Sequence, residues 1–408
     1  MNAPKDHRRL GRELELFDTD PLIGSGLPYW LPAGAAVRQA LESYIAGVEH
    51  RAGYHRVYSP VLGKRELYEV SGHWQHYAED MFPPMALPKS GSAAGGGEDF
   101  VLRPSLCPHH ALIYRSREHS YRELPLRIAE IGAQHRSELS GVLGGLSRVR
   151  GMQLNDAHVF CSPDQVEAEA LAALRLIERA YADLGVKAAR YRLSLPGEGG
   201  KYVDNPGLWE RAVAVLRSVL DASGLPYEDG VGEAAFYGPK IDVQVEDAAG
   251  REFTLSTVQV DFHQPEQFGL EYVGADGARH RPVMVHRAIV GSIERAVAHL
   301  IEVHQGRFPA WLAPVQAAVV PLGDAEVPAA AGFVQRCLDR GLRAELLEPV
   351  RGTLGARIRG ARLVPYQAVI GPKEAAAGEV SLRLRDGSRR DPQAVDEALG
   401  EVVRGCAV

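Results

Sequence analysis

Residues 234–262 read AAFYGPKIDVQVEDAAGREFTLSTVQVDF, two apolar/polar alternations (234–247 and 251–262) joined by the short Ala248-Ala249-Gly250 turn. Alternation with a period of two marks strands with one face buried. A turn this short leaves the two strands antiparallel neighbours. Similar alternations at 127–132 and 156–161, each flanked by polar turns, extend the pattern. An antiparallel sheet is therefore expected here, rather than βαβ repeats.

Helices are expected to flank this sheet, giving an α+β fold. SPDQVEAEALAALRLIERAYADLG (162–185) has helical apolar spacing, Ser162 as cap, acidic residues early and Gly185 at the stop. AGAAVRQALESYIAGVEHRA (34–53) repeats that spacing up to Gly53. YHRVYSPVL (54–62) reads as a strand interrupted by Pro60, a residue suited to a strand end or edge. ALPKSGSAAGGGE (86–98) is small and Gly-rich, and reads as a mobile loop.

The composition changes near residue 310. From FPAWLAPVQAAVVPL onward, apolar strand-like runs (316–321, 343–347, 366–370, 380–385) alternate with helical stretches (326–340, 353–362, 392–404). About a hundred residues of βα pattern can fold alone. The expected domains are 1–310 and 311–408.

Composition narrows the class. The 408 residues are 45% hydrophobic and 24% charged, ordinary for a soluble globular chain. Charges break every apolar run well short of the roughly 18 residues a membrane span needs, and the N-terminus lacks the apolar segment of a signal peptide. Cysteines at 107, 161, 337 and 406 are too sparse for a disulfide framework. The expectation is a soluble cytoplasmic protein with no membrane partner. Net charge is -6, and 312–408 hold 13 Lys and Arg against 12 Asp and Glu, so a polyanion would have to be met by local patches.

No Walker-type phosphate loop, no GxGxxG after a strand and no CxxC, HExxH or GxSxG pattern is present. Three scattered sets of residues stand out instead. Arg136, Arg148, Arg150 and Arg295 lie in strand-like or apolar context, and Arg suits bidentate recognition of phosphate or carboxylate; surface ion pairing is the plainer alternative. Cys107, His158 and His286 supply one thiolate and two imidazoles, enough for a zinc with an open fourth position. Their spacing carries no local metal signature, and buried core residues are the plainer alternative. Asp156, Tyr237, Lys240 and Gln259 offer hydrogen bonds to a small polar substrate, or are ordinary strand polarity.

Nearly the whole chain resembles the threonyl-tRNA synthetases, a class II aminoacyl-tRNA synthetase family. The resemblance runs in order through DHRRLGRELELF, VSGHW, SYRELPLRIAEIG, HRSELSG, RVRG, DAHVFC, AFYGPKID, TVQVDF, HRAIVGSIER, FPAWLAPVQ and VPYQAVIG. Motif 1 resembles the segment ending SPVL at Pro60, motif 2 HRSELSG…RVRG and motif 3 HRAIVGSIER. The resemblance implies an antiparallel sheet flanked by helices, a homodimer through motif 1 and a small C-terminal α/β anticodon-binding domain. It implies Zn²⁺ on Cys107, His158 and His286, and ATP with Mg²⁺ at Arg136, Glu138, Arg148, Met152 and Arg295. Arg136 and Arg295 are its catalytic arginines. Asp156, Tyr237, Lys240, Gln259 and Leu154 fall at its threonine pocket. The implied reaction is activation of threonine with ATP and transfer to tRNA.

The sequence also departs from that family. It begins where the catalytic domain begins, so accessory and editing domains are expected to be absent, leaving serine poorly excluded. Ser105-Leu106 replace Met-Asn before Cys107, and Pro108-His109-His110 replace Pro-Gly-His. Met152 replaces an adenine-stacking Phe, Leu154 a Gln and Asn155 an Asp; Thr254-Leu255 replace Gln-Cys. A basic Arg-Asn-Glu-Lys stretch reads Val350-Arg351-Gly352-Thr353. Two alternatives follow: a paralogue activating threonine or a related amino acid for a non-tRNA acceptor, and a non-catalytic binding protein. Retention of Arg136, Glu138 and Arg295 opposes the second.

Overall fold

The computed structural model describes residues 5–88, 97–199 and 201–408. Its main sheet has eight strands: β1 (His55–Arg56), β2 (Leu126–His135), β3 (Gly151–Cys161), β4 (Arg190–Leu195), β5 (Tyr227–Val231), β6 (Lys240–Glu246), β7 (Glu252–Asp261) and β8 (Val283–Ala288). Their spatial order is β5-β4-β6-β7-β8-β3-β2-β1. The six central strands are antiparallel neighbours. The expected antiparallel sheet thus carries one parallel strand at each edge, β5 on β4 and β1 on β2, and is mixed overall.

The alternation in β7 and β3 assigns the two faces. Val258 and Val260, with Ala157 and Val159, enter a core shared with Leu174 and Ile177 of the helix Val166–Leu184 and Ile301 of the helix Ile293–His304. The intervening residues occupy the opposite face, where the site lies.

Several local expectations are corrected. The long helix starts at Val166, not beside Ser162, and has no side-chain cap; Ser162 N–H donates to Gln165 Oε1 instead. Gly185 does end it, at φ 66°. The run 54–62 is divided between sheets: β1 joins the main sheet, whereas Leu62–Lys64 pairs with Gly97–Leu102 in a small three-stranded one. Its third strand, Met85–Pro88, replaces the first part of the expected loop 86–98; residues 89–96 lie outside the described residues. Finally, β6 begins only at Lys240. Pro239 has no N–H for the ladder, so Ala235–Gly238 form a tight turn that carries Tyr237 out of the strand.

Beyond Ala313 a second core forms around strands Ala317–Pro321, Ala344–Leu346, Tyr366–Ile370, Glu379–Leu384 and Gln393–Ala394. The first three are parallel, the last two antiparallel. Helix Pro372–Ala377 and the strand Gln393–Ala394 are additions to the expected pattern. Among the described residues no helix is long and apolar enough to cross a membrane.

Candidate active site

Sheet register builds the site. Along β3, Met152, Leu154, Asp156 and His158 share one face. His158 is the cross-strand partner of His286, His286 of Gln259, and Gln259 of Lys240. Directly opposed residues have Cβ atoms roughly 5 Å apart, so four residues distant in sequence form one row. Cys107 reaches this row from the start of the helix Cys107–Arg115. One ligand atom from each of Cys107, His158 and His286 lies within 4.8 Å of the others, and all three residues are buried.

The surroundings fit a metal. His158 Nε2 and His286 Nδ1 face each other at 3.0 Å. Their outer nitrogens are occupied: His286 Nε2 lies 2.9 Å from Asp261 Oδ2, and His158 Nδ1 lies 2.7 Å from His110 Nδ1. His110 Nε2 in turn lies 3.3 Å from Glu130 Oε2. Such outer partners orient ligating imidazoles. Gln264 Nε2 donates to Cys107 Sγ at 3.2 Å. Burial, reinforced by His286 and His110, holds His158 well below the usual imidazole range, which keeps it neutral as a ligand must be. Burial also pushes the Cys107 thiol up to about 12, so its thiolate form requires a cation beside it. Two nitrogens and a sulfur this close fit zinc bond lengths of about 2.0–2.3 Å.

The other end of the row opens into a cavity of about 270 Å³ lined by Arg136, Glu138, Arg148, Met152, Leu154 and Arg295, among others. Arg148 Nη2 pairs with Glu138 Oε2 at 2.8 Å. Arg295 donates to the carbonyls of Ser147 at 2.9 Å and Thr254 at 3.1 Å. Burial first, then the charges of Arg136 and Arg148, lowers Arg295 to about 10. Arg136 lies above the Tyr77 ring, and its buried Nε has no hydrogen-bond partner among the described residues. Three guanidinium groups and Lys240 against the carboxylates of Glu138 and Asp242 leave the lining net positive, which makes this an anion site.

A second cavity of about 400 Å³ shares Arg136, Lys240 and Gln259, and adds His73, Ser105 and Tyr237. Tyr237 stacks on His286 with centroids 4.9 Å apart and donates to Gln259 Oε1 at 2.6 Å. Lys240 Nζ donates to the buried Asp242 at 2.8 Å. Burial raises the Asp156 carboxyl, whose Oδ1 lies 3.8 Å from His158 Nε2.

All three scattered sets thus converge, with one exception. Arg150 ties two loops together, donating to the carbonyls of Glu138 and Ser25. Sequence reasoning missed Asp261, although its alternation with Thr257 and Gln259 places it on the same face. It also missed Asp242, which the same period places beside Lys240, and His73, Gln264 and Glu294, which carry no such alternation.

Comparison with known proteins gives a consistent picture. Residues 93–304 match the family described as tRNA synthetase class II core domain (G, H, P, S and T), and residues 316–404 match the anticodon binding domain. The chain is 48% identical over 404 residues to the threonine–tRNA ligase of Listeria welshimeri, covering 98% of this chain. It is 49% identical over 400 residues to that of Geobacillus kaustophilus, covering 97% of this chain. It spans 62% and 60% of the length of these two relatives. Among solved structures, the RNA binding domain of threonyl-tRNA synthetase from Cryptosporidium parvum superposes with a TM-score of 0.89 at 33% identity, covering 98% of both chains. A putative threonyl-tRNA synthetase from Aeropyrum pernix gives 0.79 at 27%, covering 98% of this chain and 97% of that one.

Proposed function

Since the chain belongs to the class II tRNA synthetase core family (G, H, P, S and T), we propose that it is a threonine–tRNA ligase, activating threonine with ATP and transferring it to tRNA. The observation that carries this reading is one row of side chains joining a Cys-His-His cluster to an arginine-lined cavity. Residues 1–310 form the catalytic domain. Residues 311–408 bind the anticodon; the two hydrophobic cores, which part between Ala313 and Ala317, support a division close to this boundary.

The chemistry follows from the geometry. Threonine carboxylate attacks the α-phosphate of ATP, and pyrophosphate leaves. Arg136 and Arg295, the catalytic pair, stabilise the charge that grows on the phosphoryl oxygens. Glu138 and Arg148 hold ATP, with Met152 against the adenine. Asp156, Tyr237, Lys240, Gln259 and Leu154 surround the amino acid. Cys107, His158 and His286 would hold Zn²⁺, whose open position suits the amino group and β-hydroxyl of threonine and so selects against valine. Mg²⁺ bound with ATP would neutralise phosphate charge. The terminal ribose hydroxyl of tRNA then displaces AMP from the adenylate. The protein acts in the cytoplasm as a homodimer through the segment ending at Pro60.

Transfer of labelled threonine to threonine tRNA tests this directly. Ester formation that requires both ATP and the tRNA supports it. Threonine-dependent pyrophosphate exchange without any ester would leave activation standing and remove tRNA as the acceptor.

A further inference from the structure

Ser105 stands between the metal cluster and the larger cavity. Its Oγ lies 3.3 Å from Cys107 Sγ and 2.8 Å from His73 Nε2. The Ser71 hydroxyl lies 2.8 Å from the other nitrogen, His73 Nδ1, and 3.2 Å from the Tyr68 carbonyl; donated to the nearer Nδ1, its proton leaves the Nε2–H of the neutral ring to donate to Ser105 Oγ. His73 is buried, edge-on to Phe236 with centroids 5.1 Å apart, so contacts on both ring nitrogens and its packing fix its orientation. One hydroxyl therefore touches a candidate metal ligand and an immobilised imidazole in the cavity wall.

We propose that Ser105 is a positioning residue: its hydroxyl donates to the metal-bound Cys107 sulfur and at the same time holds His73, tying the metal centre to the wall of the neighbouring cavity. The inference rests on the zinc reading above. A coordinating sulfur is a thiolate, an acceptor with no proton of its own. The hydroxyl beside it is thereby turned to donate, alongside Gln264 Nε2 on the same sulfur. Donation draws charge from the sulfur. It lowers the energy of the sulfur electrons and stabilises the ligating form, as outer partners of metal ligands generally do.

The test uses the full chain loaded with cobalt(II), whose sulfur-to-metal charge-transfer band reports directly on the thiolate. Ser105→Ala should move that band to longer wavelength, and Ser105→Thr, which keeps the hydroxyl, should restore it. Competition with a chromophoric chelator should show zinc bound roughly tenfold more weakly by the alanine variant. A wild-type chain that binds cobalt with a band unmoved by Ser105→Ala overturns the proposal and leaves the zinc reading intact. A wild-type chain that takes up neither cobalt nor zinc overturns both.

Discussion

Glu294 Oε2 accepts the backbone N–H of Gln153 at 3.0 Å, fixing the start of the helix Ile293–His304 to the beginning of β3. Gln153 lies between Met152 and Leu154, and Glu294 precedes Arg295, so this bond sets the distance between two walls of the smaller cavity. Burial raises the Glu294 carboxyl to about 7; the Arg38 guanidinium, 3.8 Å away, opposes that rise and Glu42 adds to it. A carboxyl raised on folding binds its proton more tightly in the folded state. Stability therefore falls as pH rises from about 4.5 to about 7 and is level above that. Glu294→Gln keeps the acceptor and removes the charge. Its melting temperature should exceed that of the parent at pH 8 by an amount on the order of 3 kcal/mol in stability, with the gap closing towards pH 4.5. A lower melting temperature at pH 8 would mean that the ion pair with Arg38 outweighs burial.

Asn155 belongs to a buried group around Arg287. Its Oδ1 accepts from Ile289 N–H at 3.0 Å, which orients Nδ2 to donate to Glu49 Oε1 at 2.7 Å. Arg287 Nη1 donates to the same Glu49 oxygen at 2.8 Å. Asn155→Asp places a second carboxylate against Glu49. It should cost roughly 1–3 kcal/mol, seen as a lower melting temperature. Adding Glu49→Gln should recover most of the loss. Equal stability of Asn155→Asp and parent would show that Arg287 can balance both carboxylates.

Arg295 combines burial with direct exposure to the anion cavity. Arg295→Ala should lower kcat for pyrophosphate exchange by roughly 10²–10³-fold with little change in the KM for threonine, because the lost charge acts mainly in the transition state. A variant that exchanges as fast as the parent would make Arg295 a loop brace for Ser147 and Thr254.

Leu154 offers the cavity no hydrogen bond. With threonine as substrate, Leu154→Gln should lower its KM, since a hydrogen bond to a charged group contributes roughly 1.5–3 kcal/mol. A loss of activity towards threonine instead would mean that the apolar side chain packs against the substrate. Parallel assays with serine and larger β-hydroxy amino acids distinguish the two.

How much of this was legible in the sequence follows from the range of each contact. The alternation in β6 and β7 is local: Gln259 is named from it, and the same period carries the missed Asp261 on to the site face. The small strands Met85–Pro88 and Gly97–Leu102 carry Gly and Pro, which disguise pairing as a loop. Ser162 looked like a cap because composition cannot tell a cap from a residue one turn early. The metal cluster became readable only through resemblance, because register, not spacing, brings His158 to His286. Glu294 was unreadable, as its partner lies 141 residues away.

Pyrophosphate exchange with threonine and with valine, each measured on the zinc-loaded full chain, tests the central claim most directly. A site that engages the β-hydroxyl should favour threonine by roughly 10⁴-fold in kcat/KM, because valine leaves its buried polar groups unpaired. Comparable rates with the two amino acids, or no exchange with threonine at all, would contradict the account.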